Sequence, residues 1–393
     1  MTRAAAAPRL RFDRHELAGA FGDVGTDLPL LVALIVTCGL DAASVCITFG
    51  ALQIATGLLY GIPMPVQPLK AMAAIMLAQR LAPEVLAGGG LVIGATMLLL
   101  AATGLLDWLA RVVPLAVVRG IQLGLGITLA TLATKEYAGS DGATGYLLAA
   151  VCVVLLLALR RQRRVPAPLV VIAVGVLYAL ALRVDLATLG GAVGLGVPSF
   201  ALPGAAAIAQ GALLLALPQL PLSLGNSVVA TSRATRDLFP ERAVGVRRIG
   251  TTYGLMNLVG PLFGGVPVCH GCGGLVGFHG FGARTGGAPV IYGALYLLLG
   301  LAFAPGLAEV VRVFPMPVLG VVLFFEAVAL MSLVRDVSQD RSALWIALAV
   351  AGAVVGLPYG YVVGLVAGTA LSWAADRGWV RTPGVVEEIE EAT

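Results

Sequence analysis

Apolar segments follow one another along nearly the whole chain, from Glu16 to Trp373. Most are close to the length of about 20 residues that an α-helix needs to cross a lipid bilayer. The first half contains segments near 16–39, 42–60, 66–80, 85–104, 114–134, 144–159 and 166–182. The second half contains segments near 208–230, 246–263, 269–282, 287–304, 315–332, 342–356 and 359–375. This pattern predicts an all-α polytopic membrane protein with about 14 transmembrane segments.

The two halves of the chain resemble one another at a shift of about 200 residues. The matching positions are Gly22-Asp23 with Gly225-Asn226, Pro65-Val66 with Pro267-Val268, and Arg111 with Arg312. An odd number of crossings in each half makes the second half enter the membrane from the opposite side. We therefore predict an inverted repeat, with residues 16–190 as its first unit and residues 191–376 as its second.

The composition excludes a water-soluble protein. Hydrophobic residues make up 59% and charged residues 12% of the 393 residues, whereas soluble domains carry roughly 25% charged residues. A lipid environment removes the need for a polar outer surface. The net charge of +4 is spread over loops and predicts no nucleic-acid partner. The five cysteines form no recognisable disulfide framework, and no cofactor is expected.

Basic residues are distributed unevenly between alternate loops. With a cytoplasmic N-terminus, most arginines fall in cytoplasmic stretches, as the positive-inside rule requires. The basic residues in outer stretches are Arg80, Lys135, Arg183 and Arg312. The prediction is a multi-pass protein of the cell inner membrane with two cytoplasmic tails, residues 1–15 and the acidic stretch 377–393.

The third segment of each half is broken by proline and glycine. Residues 61–70 read GIPMPVQPLK, and residues 264–274 read GGVPVCHGCGG. Because proline inside a helix removes a hydrogen bond, each stretch is predicted to be a short extended strand followed by a half-helix. In an inverted repeat the two half-helices present free N–H groups and positive dipole ends to one spot, which predicts an anion site. The predicted substrate-binding residues are Gln67, Pro68, Leu69, Lys70, Cys269, His270, Gly271, Cys272 and Asn226.

Several ionisable residues lie inside the apolar segments, where charge is expensive and typical of a substrate or proton pathway. They are Asp23, Asp27, Lys70, Arg119 and Glu326. Lys70 is predicted to neutralise a bound dianion. Asp23 or Asp27 is predicted to take up the proton that couples to anion entry. The alternative is an internal Asp–Lys or Asp–Arg pairing that only holds helices together.

Cys269, His270 and Cys272 are possible metal ligands, but they lie too close together to complete a tetrahedron easily. No fourth cysteine or histidine is near them in the sequence, so no metal site is predicted. His270 is instead interpreted as a hydrogen-bond donor or gate. The sequence contains no recognisable pair of nucleophile and base, so an enzyme is not expected.

Several stretches belong together: 22–26 (GDVGT), 63–70 (PMPVQPLK) and 267–274 (PVCHGCGG), which continues into 281–286 (FGARTG), and also 219–222 (QLPL), 226–227 (NS) and 237–240 (DLFP). In these stretches the chain resembles the molybdate transporter family of plants, algae and bacteria, a branch of the sulfate-permease superfamily, whereas 277–280 (GFHG) replaces a more polar stretch. The resemblance implies a 7+7 inverted fold with a core of segments 1–4 and 8–11 and a gate of segments 5–7 and 12–14. It also implies elevator-like oxyanion uptake and a homodimer through the gate. Few residues follow Trp373, as expected of the molybdate branch rather than of sulfate permeases, which usually add a regulatory domain.

The leading hypothesis is a secondary transporter that imports molybdate together with protons. Sulfate is the alternative substrate for the same site, because it is also a tetrahedral dianion. A nucleobase-type symporter would need a carboxylate near Asn226, and the sequence has none there. An anion channel is disfavoured by Asp23 and Asp27 inside the membrane. The expected partners are therefore a small oxyanion, protons and membrane lipid.

Overall fold

The fold is that of a computed structural model, which describes residues 9–106, 108, 112–159, 167–183 and 193–380. Arg111, most of the N-terminal tail and the acidic end of the C-terminal tail lie outside the described residues. All structural statements below refer to the described part of the chain.

The first half opens with a bent pair of helices and contains one short strand. The bounds are α1 (Arg14–Ala20), α2 (Val24–Cys38), α3 (Ala42–Tyr60), β1 (Gln67–Pro68), α4 (Lys70–Gln79), α5 (Pro83–Thr103), α6 (Leu115–Leu132), α7 (Gly142–Leu159) and α8 (Ala167–Leu182). The axes of α1 and α2 differ by 44°. Helix α6 continues directly into a π-helical turn, Ala133–Tyr137. Each segment predicted for this half therefore coincides with a helix or with the bent pair.

The second half contains the longest continuous helix of the described chain. The bounds are α9 (Ala205–Leu238), α10 (Val246–Val259), β2 (Val268–Cys269), α11 (Cys272–Gly280), α12 (Gly287–Ala302), α13 (Ala304–Val313), α14 (Met316–Ser332), α15 (Arg341–Gly356) and α16 (Gly360–Asp376). Two π-helical stretches, Ala212–Ala216 and Ser223–Ala230, interrupt the regular winding of α9. Such bulges are frequently found at functional sites. Helix α13 was not predicted as an element of its own.

The two segments predicted to be broken are extended first and helical afterwards. Strands β1 and β2 pair antiparallel, with Gln67 opposite Cys269. The side-chain amide of Gln53 on α3 bonds the backbone N–H and C=O of Val66. In the same way, the side chain of Asn257 on α10 bonds both backbone groups of Val268. These amides satisfy backbone groups that would otherwise be unpaired in the protein interior.

The helices have the lengths and surfaces of a multi-pass membrane protein. Six of the described helices are long and apolar enough to span a bilayer, and the bent pair α1–α2 makes a seventh. Large apolar side chains such as Leu99, Leu147 and Leu177 are more than half exposed, as expected on surfaces that face lipid. The shorter apolar helices α8, α12 and α15 accompany these spans. The count of 14 crossings and the inversion of the repeat stay predictions.

Helix packing defines two groups. In the first group, α3 packs along α12, and α5 packs against α9 and α10. Glycines allow the closest approach, since a Cβ on Gly50 of α3 or on Gly293 of α12 would press on the backbone of the other helix. In the second group, α6 packs against α14, α15 and α16, and α7 contacts α8 and α14. We call these sets the first helix group (α1–α5 and α9–α12) and the second helix group (α6–α8 and α14–α16).

Candidate functional site

The N-termini of the two half-helices lie together because the antiparallel strand pair precedes both of them. Helix α4 starts just after β1 and α11 starts shortly after β2, so the helices leave the strand pair in opposite directions. The positive ends of both helix dipoles are therefore in one region, beside α2. All the predicted substrate-binding residues except Asn226 lie on these strands, on the links after them, or at the first helical position.

Gln67 joins the strand pair to α2. Its side-chain nitrogen donates to both carboxylate oxygens of Asp23, at 2.7 Å each, and both side chains are buried. The Gln67 side chain lies directly against Gly271, where a Cβ would overlap its Oε1 atom. Likewise, a Cβ on Gly274 would overlap the carboxylate of Asp23. The glycines at the start of α11 therefore let the Asp23–Gln67 pair lie against its first turn, where the helix dipole favours negative charge.

Lys70 forms an ion pair between the two helix groups. Its Nζ lies 2.8 Å from Oε2 of Glu326 on α14. The hydroxyl of Thr26 on α2 donates to the other oxygen of Glu326 at 3.1 Å. Both ionised side chains retain some exposure, 24% for Lys70 and 21% for Glu326. Lys70 is thus placed where sequence analysis expected it, but it is already paired with a carboxylate of the protein.

The first N–H groups of α4 were expected to be free for an anion, and this expectation is wrong in the conformation described. The N–H groups of Ala71 and Met72 donate to Oε1 of Gln219 at 2.9 and 3.2 Å. The N–H of Leu69 donates to the carbonyl of Pro267, and Pro68 has no N–H to donate. A neutral amide oxygen therefore occupies the N-terminus of α4.

His270 is held on both sides of its ring. Its Nδ1 lies 2.9 Å from the carbonyl oxygen of Pro65, and its Nε2 lies 2.8 Å from the hydroxyl oxygen of Thr252. Since a carbonyl only accepts, Nδ1 carries the proton and Nε2 accepts from Thr252. The ring also makes an edge contact with Tyr60, at 5.5 Å between centroids. This bonding suits a residue that joins the strand links to α3 and α10 more than a ligand of the substrate.

The two cysteines of the second broken segment are free thiols. Cys269 is buried opposite Gln67 in the strand pair, and Cys272 is half-buried at the first position of α11. Within the described residues, no three His, Cys, Asp or Glu side chains are grouped so that they could hold a metal ion.

The carboxyl group of Asp27 is deeply buried in the described part of the chain. It is fully buried one turn after Asp23 on α2, and neither of its oxygens has a hydrogen-bond partner among the described residues. Two buried tyrosines of α12, Tyr292 and Tyr296, hydrogen-bond to one another at 3.1 Å instead. A buried carboxylate with no partner is costly, whereas a neutral carboxylic acid costs less.

Asn226 faces a cavity between the two helix groups. The cavity has a volume of about 390 Å³ and is lined by the first turns of α6 and by the π-helical part of α9. Two guanidinium groups border it, those of Arg119 and Arg233. Arg119 also donates to Gln122 and forms an ion pair with Asp336. Positively charged walls raise the local concentration of anions, so this cavity suits an approach route for a dianion.

More than half of the chain matches the sequence pattern of one protein family. The model of the family described as "Molybdate transporter of MFS superfamily" matches residues 15–129 and 211–330. This chain belongs to the molybdate transporter family. Among curated relatives, Molybdate transporter 1 of Arabidopsis thaliana is 33% identical over 372 residues, covering 84% of this chain and 81% of that protein. Molybdate transporter 2 of the same plant is 32% identical over 388 residues, covering 86% and 82%.

Solved structures of other anion transporters share the fold of this molybdate transporter family member. The transmembrane domain of the cyanobacterial bicarbonate transporter BicA superposes with a TM-score of 0.65 at 17% identity, covering 91% of this chain and 97% of that domain. Murine SLC26A9 in its inward-facing state gives a TM-score of 0.68 at 13% identity, covering 94% and 69%. The chain is therefore a mostly helical, multi-pass membrane transporter of the anion-transporting kind. Its relatives are transporters, in agreement with the expectation that it is not an enzyme.

Two contacts that complete the site of this transporter, made by Gln219 and Glu326, were not predicted from the sequence. The side chain of Gln219 also takes part in a buried row of hydrogen bonds. Its Nε2 donates to Ser223, and the hydroxyl oxygen of Ser223 lies 2.7 Å from that of Tyr253. The sequence does contain a signal for a buried polar role, because Gln219 stands between Pro218 and Pro221 in an otherwise apolar segment. The pairing of Glu326 with Lys70 had no local signal, since the two residues are 256 positions apart.

Proposed function

We propose that this chain is a secondary active transporter that imports molybdate by alternating access, in symport with protons. The observation that carries the proposal is the antiparallel strand pair, which brings the N-termini of α4 and α11 together beside Lys70. Two positive dipole ends and one ammonium group suit a small dianion. The names of the curated relatives favour molybdate among the possible oxyanions.

The anion binds, in this proposal, between the strand pair and the second helix group. It approaches through the cavity bordered by Arg119, Arg233 and Asn226, and it is neutralised by Lys70. The first turn of α11 supplies N–H donors, and space is available in front of it, since a Cβ on Gly273 would meet nothing within 4 Å. His270 and Gln67 act as positioning residues that hold the strand pair, rather than as direct ligands of the anion.

Protons enter through the carboxyls of α2. Asp27 carries the proton, because protonation removes an unpaired charge from a fully buried position. Asp23 is one turn away, and its carboxylate is linked through Gln67 to the strand pair that carries the anion site. Loading of a proton on Asp27 lowers the negative charge beside the site, which favours entry of a dianion.

Alternating access arises from movement of the first helix group, as the core, against the second, as the gate. This division corresponds to segments 1–4 and 8–11 for the core, and to segments 5–7 and 12–14 for the gate. The equivalent amides of Gln53 and Asn257 support an inverted 7+7 repeat, because each bonds the strand of its own half in the same way. The distribution of arginines supports a cytoplasmic position for both termini.

Uptake into proteoliposomes tests this function. We expect saturable molybdate uptake that increases when the outside is made more acidic than the inside, and that is inhibited by sulfate but not by uracil. Protein-free liposomes are the control. Tighter inhibition by sulfate than by molybdate itself would reassign the substrate to sulfate, and inhibition by uracil would indicate a nucleobase site. Conductance that neither saturates nor responds to the proton gradient would indicate a channel.

A further inference from the structure

The ion pair of Lys70 and Glu326 crosses from one helix group to the other at the site itself. Lys70 is the first residue of α4 in the first group, and Glu326 lies on α14 in the second. Thr26, which holds the other oxygen of Glu326, also belongs to the first group. Both oxygens of one carboxylate from the second group are therefore bound by donors of the first group.

The carboxylate of Glu326 has the chemistry of the anion that the site is proposed to bind. It is negatively charged, it accepts hydrogen bonds from an ammonium and a hydroxyl, and it lies beside the positive end of α4. A tetrahedral oxyanion offers the same kind of acceptor oxygens to the same donors. Both members of the pair retain some exposure, so an anion in solution can reach Lys70 without unfolding of the surroundings.

We propose that Glu326 is a tethered competitor of the substrate, which occupies Lys70 in the empty carrier and which the oxyanion displaces when it binds. This inference rests on the proposed function, and it makes Glu326 a residue that sets the affinity of the transporter for the oxyanion. Displacement has a second consequence, because it breaks a link between the two helix groups. The empty carrier is thus held in the conformation described here, and the arrival of the anion releases the first helix group to move.

A tethered competitor lowers the apparent affinity for the free ligand, because only the fraction of molecules with an unoccupied Lys70 binds the anion at full strength. Replacement of Glu326 by glutamine keeps the size of the side chain and an acceptor for Thr26, but removes its charge. We expect Glu326→Gln to lower the Kd for molybdate by about two- to fivefold, the range that follows from a partly exposed ion pair. A residue that only supported the structure would leave affinity unchanged or weaken it.

Two other ion pairs provide matched controls. Arg80 at the far end of α4 pairs with Glu136, so this pair also joins the two helix groups but lies away from the site. Arg183 pairs with Asp141 inside the second group, with side-chain exposures of 27% and 19% that resemble those of Lys70 and Glu326. The variants Glu136→Gln and Asp141→Asn should keep the wild-type Kd.

The experiment is calorimetric titration of the purified full chain, in detergent, with molybdate. A lower Kd in Glu326→Gln alone supports the proposal, and an unchanged or higher Kd overturns it. A lower Kd in Glu136→Gln as well would also overturn it, because any link between the groups would then set the affinity. If Glu326→Gln does not fold, Glu326→Asp decides, since its shorter side chain should lower the Kd in the same direction. Absence of binding by the wild-type protein would refute the proposed function itself, whereas wild-type binding without the shift refutes only the role of Glu326.

Discussion

The side-chain nitrogen of Gln67 lies 2.7 Å from both carboxylate oxygens of Asp23, and this pair connects α2 to the strand that starts the half-helix α4. Asp23 and Gln67 are 44 positions apart in the sequence, and both are buried. The contact exists because Gly271, from the other half of the chain, leaves room for the glutamine side chain. One hydrogen-bonded pair therefore depends on three separate stretches, 22–26, 63–70 and 267–274, and each of them carries part of the family resemblance.

A methyl group at Gly271 should disable transport without unfolding the protein. A Cβ there overlaps Oε1 of Gln67, so Gly271→Ala must displace the glutamine side chain and leave Asp23 with a weaker partner. Because a buried polar group that loses its partner costs about 1–3 kcal/mol, we expect uptake to fall by about tenfold or more. Molybdate uptake into proteoliposomes measures this effect.

Gly280→Ala is the matched control for that substitution. It adds the same methyl group at the other end of α11, where a Cβ would meet nothing within 4 Å. Uptake by this variant should stay within about twofold of the wild type, since surface changes away from tight contacts have small effects. Equal losses in the two variants would mean that the half-helix tolerates no side chain at all, and the Gln67–Asp23 contact would lose its assigned role.

The bounds of α3 were predicted from the sequence, whereas those of α9 were not. The prediction of a segment near 42–60 agrees with α3 at both ends, because Asp41 caps its start and Gly61, at a φ of 67°, ends it. For α9, the predicted segment 208–230 is shorter than the helix Ala205–Leu238. The two π-helical stretches and the prolines at 218 and 221 lie inside a continuous helix, and neither a hydropathy pattern nor a proline rule anticipates this.

The broken segments were predictable, but the groups that satisfy them were not. Proline density alone indicated that residues 61–70 and 264–274 are extended before they become helical, as the structure has them. By contrast, the bond from Gln219 to the start of α4 spans 148 positions, and a single sequence has no periodicity that predicts such a contact. The expectation of free N–H groups on α4 was wrong for this reason.

Asp27→Asn should remove the dependence of uptake on the proton gradient. Asparagine has the shape of a protonated aspartic acid and cannot release a proton, so the carrier would be fixed in its loaded form. Wild-type uptake is expected to fall as the external pH rises, because fewer carriers hold the coupling proton, and the variant should give a flat profile. Uptake measured over a series of external pH values, at constant molybdate, distinguishes the two.

The fold should tolerate Asp27→Asn, because the substitution removes a carboxyl that has no hydrogen-bond partner in the described part of the chain. The melting temperature in detergent is thus expected to equal or exceed that of the wild type. Glu84→Gln is the control, since Glu84 is an exposed carboxyl at the start of α5. A variant of Asp27 that keeps the wild-type pH profile would remove this residue from coupling and leave Asp23 as the remaining candidate.

Gln219→Ala should destabilise the start of α4. The substitution leaves the N–H groups of Ala71 and Met72 without their acceptor, and it also removes the donor to Ser223. Each buried group left without a partner costs about 1–3 kcal/mol, unless water or the anion replaces the lost oxygen. We therefore expect a lower melting temperature in the absence of ligand, and a larger increase on addition of molybdate than the wild type shows. If molybdate raises the two melting temperatures equally, the N-terminus of α4 takes no part in anion binding.

Lys70 is expected to contribute more to binding than any other single side chain, because it is the cation at the start of α4 and is partly exposed between the two helix groups. Lys70→Ala removes a charged hydrogen bond to the dianion, which is worth about 1.5–3 kcal/mol, and should raise the Kd for molybdate by about ten- to a hundredfold. Lys70→Arg keeps the charge and should recover part of this loss, although the planar guanidinium does not reproduce the geometry of the ammonium.

Arg80→Ala is the control, because it removes a cation at the opposite end of the same half-helix, where the side chain is 69% exposed and pairs with Glu136. Calorimetric titration of the three variants gives the comparison. Equal weakening by Lys70→Ala and Arg80→Ala would mean that the anion responds to the overall charge of the protein rather than to a cation in its site, and the strand-pair region would then not be where the anion binds.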